Sequence, residues 1–317
     1  MKKGAHDTLK KISLIVPCFN EQETIPLFYP TLEKIKPQLR GYKLEYWFIN
    51  DGSKDDTLIE LQKLQNKDPN QVHYISFSRN FGKEAALYAG LKAVKGDYVA
   101  VMDVDLQDPP DQLPEMLAGI EDEGYDIVGT RRKNRQGEPK IRSFFSDLFY
   151  KVINKISSTE ILNGVRDYRL MTRQVVNAIL EMSEYNRFSK GIFSWVGFDT
   201  KYLEYENRDR SAGNTSWSFW KLFRYSIEGI VDFSDAPLSI ASFIGLFSFV
   251  IAAIALIFIV IRQLIVGGSV AGWASLVSIV LMIGGLQLLC LGIVGRYIGN
   301  IYLETKKRPI YIIKEKK

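Results

Sequence analysis

Cysteine and histidine are almost missing from this 317-residue chain, which has only Cys18, Cys290, His6 and His73. The cysteines lie far apart in unlike surroundings, so neither a disulfide framework nor a Cys-rich zinc site is available. Neither histidine stands beside another soft ligand, which argues against a His-rich metal site. Chemistry has to rest on carboxylates, amides and cations. A strong excess of one charge is also lacking: 41 Lys+Arg against 36 Asp+Glu gives a net +5. That falls short of the basic stripe of a nucleic-acid binder, and no nucleic acid is expected as a partner. There is no G-x-G-x-x-G and no G-x-x-x-x-G-K-[ST], so the usual dinucleotide and P-loop arrangements are excluded. The first apolar run, Ile12–Val16, is too short for a signal-peptide core and leads into Asn20-Glu21. The N-terminal part is expected to stay in the compartment where it is made.

Long apolar runs, by contrast, are present. The mean hydropathy of −0.05 averages a polar N-terminal part with a C-terminal part that holds the surplus apolarity. Pro237–Ile261 is an uncharged stretch of 25 residues, about 37 Å as a helix against a hydrocarbon core of about 30 Å. Trp273–Gly295 is a second such stretch, joined to the first by a short Gly-containing link. Two antiparallel transmembrane helices follow, with Gln287 expected to hydrogen-bond between them. Arg296, Lys306, Lys307, Arg308, Lys314, Lys316 and Lys317 follow the second stretch, whereas the link carries only Arg262. The positive-inside rule puts the tail and the N-terminal part in the cytoplasm of a multi-pass protein of the cell (inner) membrane. The segment at about 140–157 repeats apolar residues at helical spacing among cations and reads as an interfacial amphipathic helix, or as one packed on its own domain. The aromatics and cations of 217–224 read as a juxtamembrane belt.

Upstream, β-branched runs at Ile12–Val16, Leu44–Ile49, Val72–Phe77, Tyr98–Met102 and Asp126–Gly129 alternate with helical patterns at Glu23–Lys36, Asp56–Gln65, Lys83–Val94 and Asp111–Glu121. This predicts an α/β, Rossmann-like, mostly parallel sheet that binds ligands beyond the carboxyl ends of its strands. Polar clusters sit at those ends. Pro17-Cys18-Phe19-Asn20-Glu21 and Asn50 to Thr57 could each be a turn with a helix cap. In Asp103-Val104-Asp105-Leu106-Gln107, two carboxylates and an amide can converge on one hard divalent ion and leave positions for substrate phosphate, or the loop can simply cap a helix. The tail Arg308–Ile313 reads as a short strand able to pair with a sheet edge of its own or a neighbouring subunit, which leaves homo-oligomers open.

Taken together, VPCFNE (16–21), NDGSKDDT (50–57), SRNFGKEAAL (78–87), DVDLQDPP (103–110) and NGVRDYRLM (163–171) resemble the inverting family 2 glycosyltransferases of GT-A fold. The resemblance is to the dolichyl-phosphate mannosyltransferase-like branch and its bacterial bactoprenol glucosyltransferases, and it covers nearly the whole chain. It implies a GT-A catalytic domain over 1–215, a juxtamembrane helix over 216–235, a membrane hairpin over 236–296 and a basic cytoplasmic tail over 297–317. It further implies that Pro17, Asn20, Glu21, Asp51 and Asp103 hold the nucleotide-sugar donor. Asp103, Asp105 and Gln107 would hold Mg²⁺ or Mn²⁺ against its diphosphate. Lys83 would approach the donor phosphates or simply begin its helix. Asp167 matches a carboxylate assigned as base; it would serve so, orient the acceptor, steady charge at the sugar carbon, or pair with Arg166 or Arg169. Arg131, Arg142 and Ser146 match positions that grip the phosphate of a polyprenyl acceptor.

The implied activity is transfer of one hexose, glucose from UDP-glucose, to undecaprenyl phosphate for cell-envelope modification, with a flippase and a downstream glycosyltransferase as partners. N-acetylglucosamine or another sugar is the nearest alternative, followed by a processive synthase and a non-catalytic membrane scaffold. The QxxRW signature of processive synthases is missing. Asn214-Thr215-Ser216-Trp217 departs from the commoner Ser-Lys ending of the family's closing loop.

Overall fold

The computed structural model describes residues 9–133, 151, 153–156, 162, 164–206, 227, 229–232, 234–266 and 272–317. Eight strands form one sheet: β1 (Lys10–Cys18), β2 (Tyr42–Asn50), β3 (Val72–Phe77), β4 (Tyr98–Val101), β5 (Ile127–Arg132), β6 (Val165–Thr172), β7 (Thr200–Tyr205) and β8 (Ile313–Lys316). Their order across the sheet is β7-β5-β6-β4-β1-β2-β3-β8. The β1–β4 core is parallel, as is the β5/β7 pair, whereas β6 runs antiparallel between β4 and β5. The expected α/β, mostly parallel sheet is therefore present, with one reversed strand inserted.

Alternation along the strands separates two apolar layers, because successive side chains point to opposite faces. Ile12, Leu14 and Val16 of β1 join the layer covered by α1 (Ile25–Ile35), α2 (Thr57–Lys67) and α4 (Leu113–Glu121). Ile15 and Ile49 face the layer covered by α3 (Lys83–Ala93), α5 (Arg173–Glu181) and α6 (Ser189–Trp195). Within β1 the exception is Ser13, fully buried and donating to Glu45 Oε1 at 2.5 Å.

Several bounds differ from the sequence reading. β5 continues to Arg132 rather than ending at Gly129, because β6 and β7 pair with it on both sides and carry its two arginines into the sheet. β6 and β7 were not foreseen as strands. Arg166, Asp167 and Arg169 interrupt the apolar alternation of β6, although Arg169 is buried and stacks over Phe193.

After Asp235 come two long helices packed on each other, α7 (Ala236–Val266) and α8 (Trp273–Thr305). Ala236–Ile259 and Met282–Thr305 are each long and apolar enough to cross a membrane. Gln287 is exposed rather than turned between the helices. α8 also runs past Gly295, because its last turns are held by polar contacts upstream. Tyr297 Oη donates to the Ser234 carbonyl (2.7 Å), Asn300 Nδ2 to Asp232 Oδ1 (3.0 Å), and Tyr185 N–H to Glu304 Oε1 (2.7 Å). The chain then returns to the sheet. The terminal strand is 313–316 rather than 308–313, and it pairs antiparallel with β3 of its own chain. Tyr311 stacks on Phe77 with ring centroids 5.0 Å apart, which anchors the turn into β8.

Candidate functional site

The polar clusters meet at the carboxyl edge of β1, β2 and β4. The loops after β1 and β2 are tied together by Asn20, which adopts φ +57. Its N–H donates to Ser53 Oγ (2.9 Å), and its Oδ1 accepts from Lys54 N–H (2.9 Å). Glu21 N–H donates to Thr57 Oγ1 at 2.8 Å, and Glu21 Oε2 accepts from Thr24 Oγ1 at 2.7 Å. Pro17 is the penultimate residue of β1, in register with Ile49.

Asp51 is 3% exposed and accepts from the backbone N–H groups of Phe81 (2.6 Å) and Gly82 (2.9 Å). Burial pushes its carboxyl up to about 6, against the opposing pull of those two donors and Arg79. A carboxylate offers about four lone-pair positions, so capacity remains on Asp51 beyond these two bonds. Gly52 beside it sits at φ +62, and a Cβ there would lie 2.2 Å from the Arg79 carbonyl carbon. Only glycine lets the two loops approach this closely.

The reversed strand brings the carboxylates together. β4 and β6 pair Tyr98 with Thr172 and Val101 with Arg169. Continuing that register two residues past β4 sets Asp103 opposite Asp167. Lys83, the first residue of α3, closes the gap: its Nζ lies 2.7 Å from Asp103 Oδ1 and 2.5 Å from Asp167 Oδ2. Burial would lower the Lys83 pKa, but the two carboxylates outweigh it and hold the ammonium above the ordinary lysine range. Burial would likewise raise Asp167, but Lys83 and then Lys190 keep its carboxyl below the ordinary carboxylate range. Asp167 therefore pairs with Lys83, and not with Arg166 or Arg169 as one sequence alternative had it. Arg169 Nε instead donates to the Asp167 main-chain carbonyl at 3.2 Å.

Asp105, 4% exposed, accepts from Gln107 N–H at 3.1 Å across Leu106, itself at φ +57. The Gln107 amide oxygen accepts from Arg166 Nη2 at 3.3 Å. Arg166 Nε and Tyr205 Oη both donate to Asp108 Oδ1 at 3.1 Å, while Asp108 Oδ2 is buried with no hydrogen-bond partner. The Asp108–Arg166–Tyr205 group was not assigned a role from sequence. Asp108 and Arg166 belong to the motifs DVDLQDPP and NGVRDYRLM, but nothing local marks Tyr205, since only the pairing of β5 with β7 brings it there.

Arg131, at the end of β5, is in register with Val165, two residues before Asp167. Arg142, Ser146, most of the 140–157 helix, the loop at 210–216 and the belt at 217–224 lie outside the described residues.

This sheet, with its antiparallel insert and acidic exit from β4, is of GT-A type. Residues 13–180 match glycosyl transferase family 2. The chain is 48% identical over 304 residues to the Bacillus subtilis protein CsbB, covering 96% of this chain and 91% of that one. It is 45% identical over 310 residues to an Escherichia coli prophage bactoprenol glucosyl transferase homolog, covering 97% and 99%. It is 44% identical over 307 residues to the bactoprenol glucosyl transferase of Shigella phage SfX, covering 97% and 100%. The chain belongs to glycosyl transferase family 2, and it is a glycosyltransferase.

Proposed function

We propose that the protein transfers a single glucose from UDP-glucose to undecaprenyl phosphate at the cytoplasmic face of the membrane, inverting the anomeric carbon. The observation that carries this reading is the meeting of Lys83, Asp103 and Asp167 at the sheet edge. It occurs in a chain whose near full-length relatives are named bactoprenol glucosyl transferases. An acceptor phosphate oxygen forms the new bond to the sugar C1, while the bond from C1 to the donor diphosphate breaks and its electron pair leaves with UDP.

Pro17, Asn20, Glu21 and Asp51 are assigned to the uridine end of the donor, which fits the rigid double loop they form. Asp103 and Asp105 suit Mg²⁺ or Mn²⁺: both are hard oxygen donors on one strand exit. Among the described residues, no group of three His, Cys, Asp or Glu side chains is close enough to hold an ion unaided. That scarcity agrees with an ion bound through one or two carboxylates, water and substrate phosphates. Gln107 would have to release Arg166 to serve as a third ligand. Such an ion supplies Lewis-acid neutralisation of the charge that builds on the leaving diphosphate.

Asp167, held well below the usual carboxylate range, is a weak proton acceptor, and the acceptor phosphate is already largely ionised at neutral pH. Its assigned work is to align the acceptor and stabilise positive charge at C1. Arg131, with Arg142 and Ser146, is assigned to the lipid phosphate, a task that suits the guanidinium fork.

In the proposed organisation, the catalytic unit over 1–215 and the C-terminus lie in the cytoplasm, and α7 and α8 cross the membrane. A flippase then moves the glycolipid to a downstream glycosyltransferase. The full-length protein in detergent with Mg²⁺, undecaprenyl phosphate and labelled nucleotide sugars should yield glucosyl lipid from UDP-glucose. No glycolipid from any donor would overturn the reading. An N-acetylglucosaminyl product would change the sugar, a polymer would indicate a processive synthase, and binding without turnover would indicate a scaffold.

A further inference from the structure

The Lys83 ammonium sits between Asp103 and Asp167, bonded to both. Asp103 is also one of the two carboxylates best suited to a divalent ion. Its oxygens lie 2.7 and 2.9 Å from Lys83 Nζ, so both face the ammonium. A divalent ion that shared those oxygens would sit beside a unit positive charge already in contact with both of them. The lysine has room to turn: its side chain is 31% exposed.

We propose that Lys83 is a placeholder cation. Without a divalent ion it neutralises Asp103 and Asp167, and it yields Asp103 only when such an ion arrives together with the anionic diphosphate of the donor. The inference rests on the proposed metal-dependent use of a nucleotide sugar and adds an order to it.

The reason is charge. A divalent ion entering alone meets a unit positive charge already seated among the carboxylates, and the two cations repel in a half-buried site. A nucleoside diphosphate entering with the ion brings negative charge for both. Lys83 then turns from Asp103 toward the diphosphate at the start of α3, where a helix N-terminus also favours anions, and it keeps Asp167 within reach. The site is thereby kept from holding metal uselessly in the absence of donor, and Asp103 and Asp167 are never left as two facing, uncompensated charges.

Mn²⁺ binding to the full-length protein in detergent, followed by electron paramagnetic resonance with and without UDP, tests this directly. For the wild type, Mn²⁺ should bind weakly alone and at least tenfold more tightly with UDP. Lys83→Met should bind Mn²⁺ at least tenfold more tightly than wild type without UDP, and UDP should then add little. Lys83→Arg should behave like wild type. Lys83→Gln, which can still donate hydrogen bonds to both carboxylates without a charge, provides the same comparison if the methionine variant does not fold. A Met or Gln variant whose UDP-free Mn²⁺ affinity stays within twofold of wild type overturns the placeholder and leaves the metal assignment standing. If no variant binds Mn²⁺ even with UDP, and glucosyl transfer persists in chelator, the metal assignment falls and the placeholder with it.

Discussion

Arg166 and Asp167 are consecutive in β6, yet they serve opposite sides of the sheet. Arg166 bonds Asp108 at 3.1 Å, whereas Asp167 meets Lys83 at 2.5 Å. Strand alternation makes this unavoidable, because neighbouring side chains project to opposite faces. One face receives a buried structural pair and the other the Lys83–Asp103–Asp167 cluster.

The structural pair should be costly to break. Asp108 is 0% exposed, so Arg166→Ala leaves a buried carboxylate without its cation, and denaturant unfolding should show a loss of about 3–5 kcal/mol. Burial raises the Asp108 carboxyl, and Arg166 is the main force pulling it back. A carboxyl raised in the folded state contributes stability at low pH that is lost as pH rises. The deficit of Arg166→Ala should therefore widen with pH, and Asp108→Asn in that background should narrow it.

Replacing Asp167 with Asn should lower glucosyl transfer by about 10²–10³, the usual cost of removing one preorganised charge contact, with UDP affinity retained in calorimetry. Since the Asp167 carboxyl is depressed, its contribution to stability is complete above the ordinary carboxylate range and is lost only as pH falls below it. A fall in kcat/KM near pH 6 would then belong to groups other than Asp167, the acceptor phosphate among them, whose second ionisation lies at about 6.

Asp51 behaves in the opposite sense. Its carboxyl is raised to about 6, so its charged form adds no stability: the contribution is present below the ordinary carboxylate range and is lost as pH rises through about 6. Under the proposed assignment of Asp51 to the uridine end of the donor, binding needs that charged form as an acceptor. UDP affinity, measured without lipid, should weaken as pH falls through about 6, and Asp51→Asn should bind more weakly with a flatter pH profile.

Gly52→Ala places a methyl group 2.2 Å from the Arg79 backbone at φ +62. A strain of about 1–3 kcal/mol is expected. Because the same loop contacts Asp51's partners, nucleotide affinity should fall together with the melting temperature.

Deleting residues 312–317 removes the antiparallel β3/β8 ladder and, beyond it, three backbone hydrogen bonds between the C-terminal segment and the β3 region, together with the Tyr74–Glu315 contact. At about 1 kcal/mol net per bond, a loss of at least about 3 kcal/mol is expected. The exposed β3 edge should also increase self-association, visible by light scattering.

Much of this molecule can be read from the chain alone. The β1–β4 strands, the first four helices and the two apolar helices follow from local periodicity, since burial of one face imposes a repeat of 2 or 3.6 on the sequence. The acidic exit of β4 and the polar ends of β1 and β2 are local as well, and their motifs name the family. β6 and β7 escape such reading because charges interrupt their apolar alternation: Arg166, Asp167 and Arg169 in β6, and Lys201 and Glu204 in β7, where Lys201 pairs with Glu123 at the surface.

What only the tertiary structure decides is who pairs with whom. Lys83, Asp103 and Asp167 are separated by up to 84 residues and become neighbours because β6 runs antiparallel to β4 in one register. A shift of one residue would turn Asp167 to the other face and bring Arg166 in its place. Composition and motif supply the ionisable groups; the reversal of a single strand selects which of them share a cation.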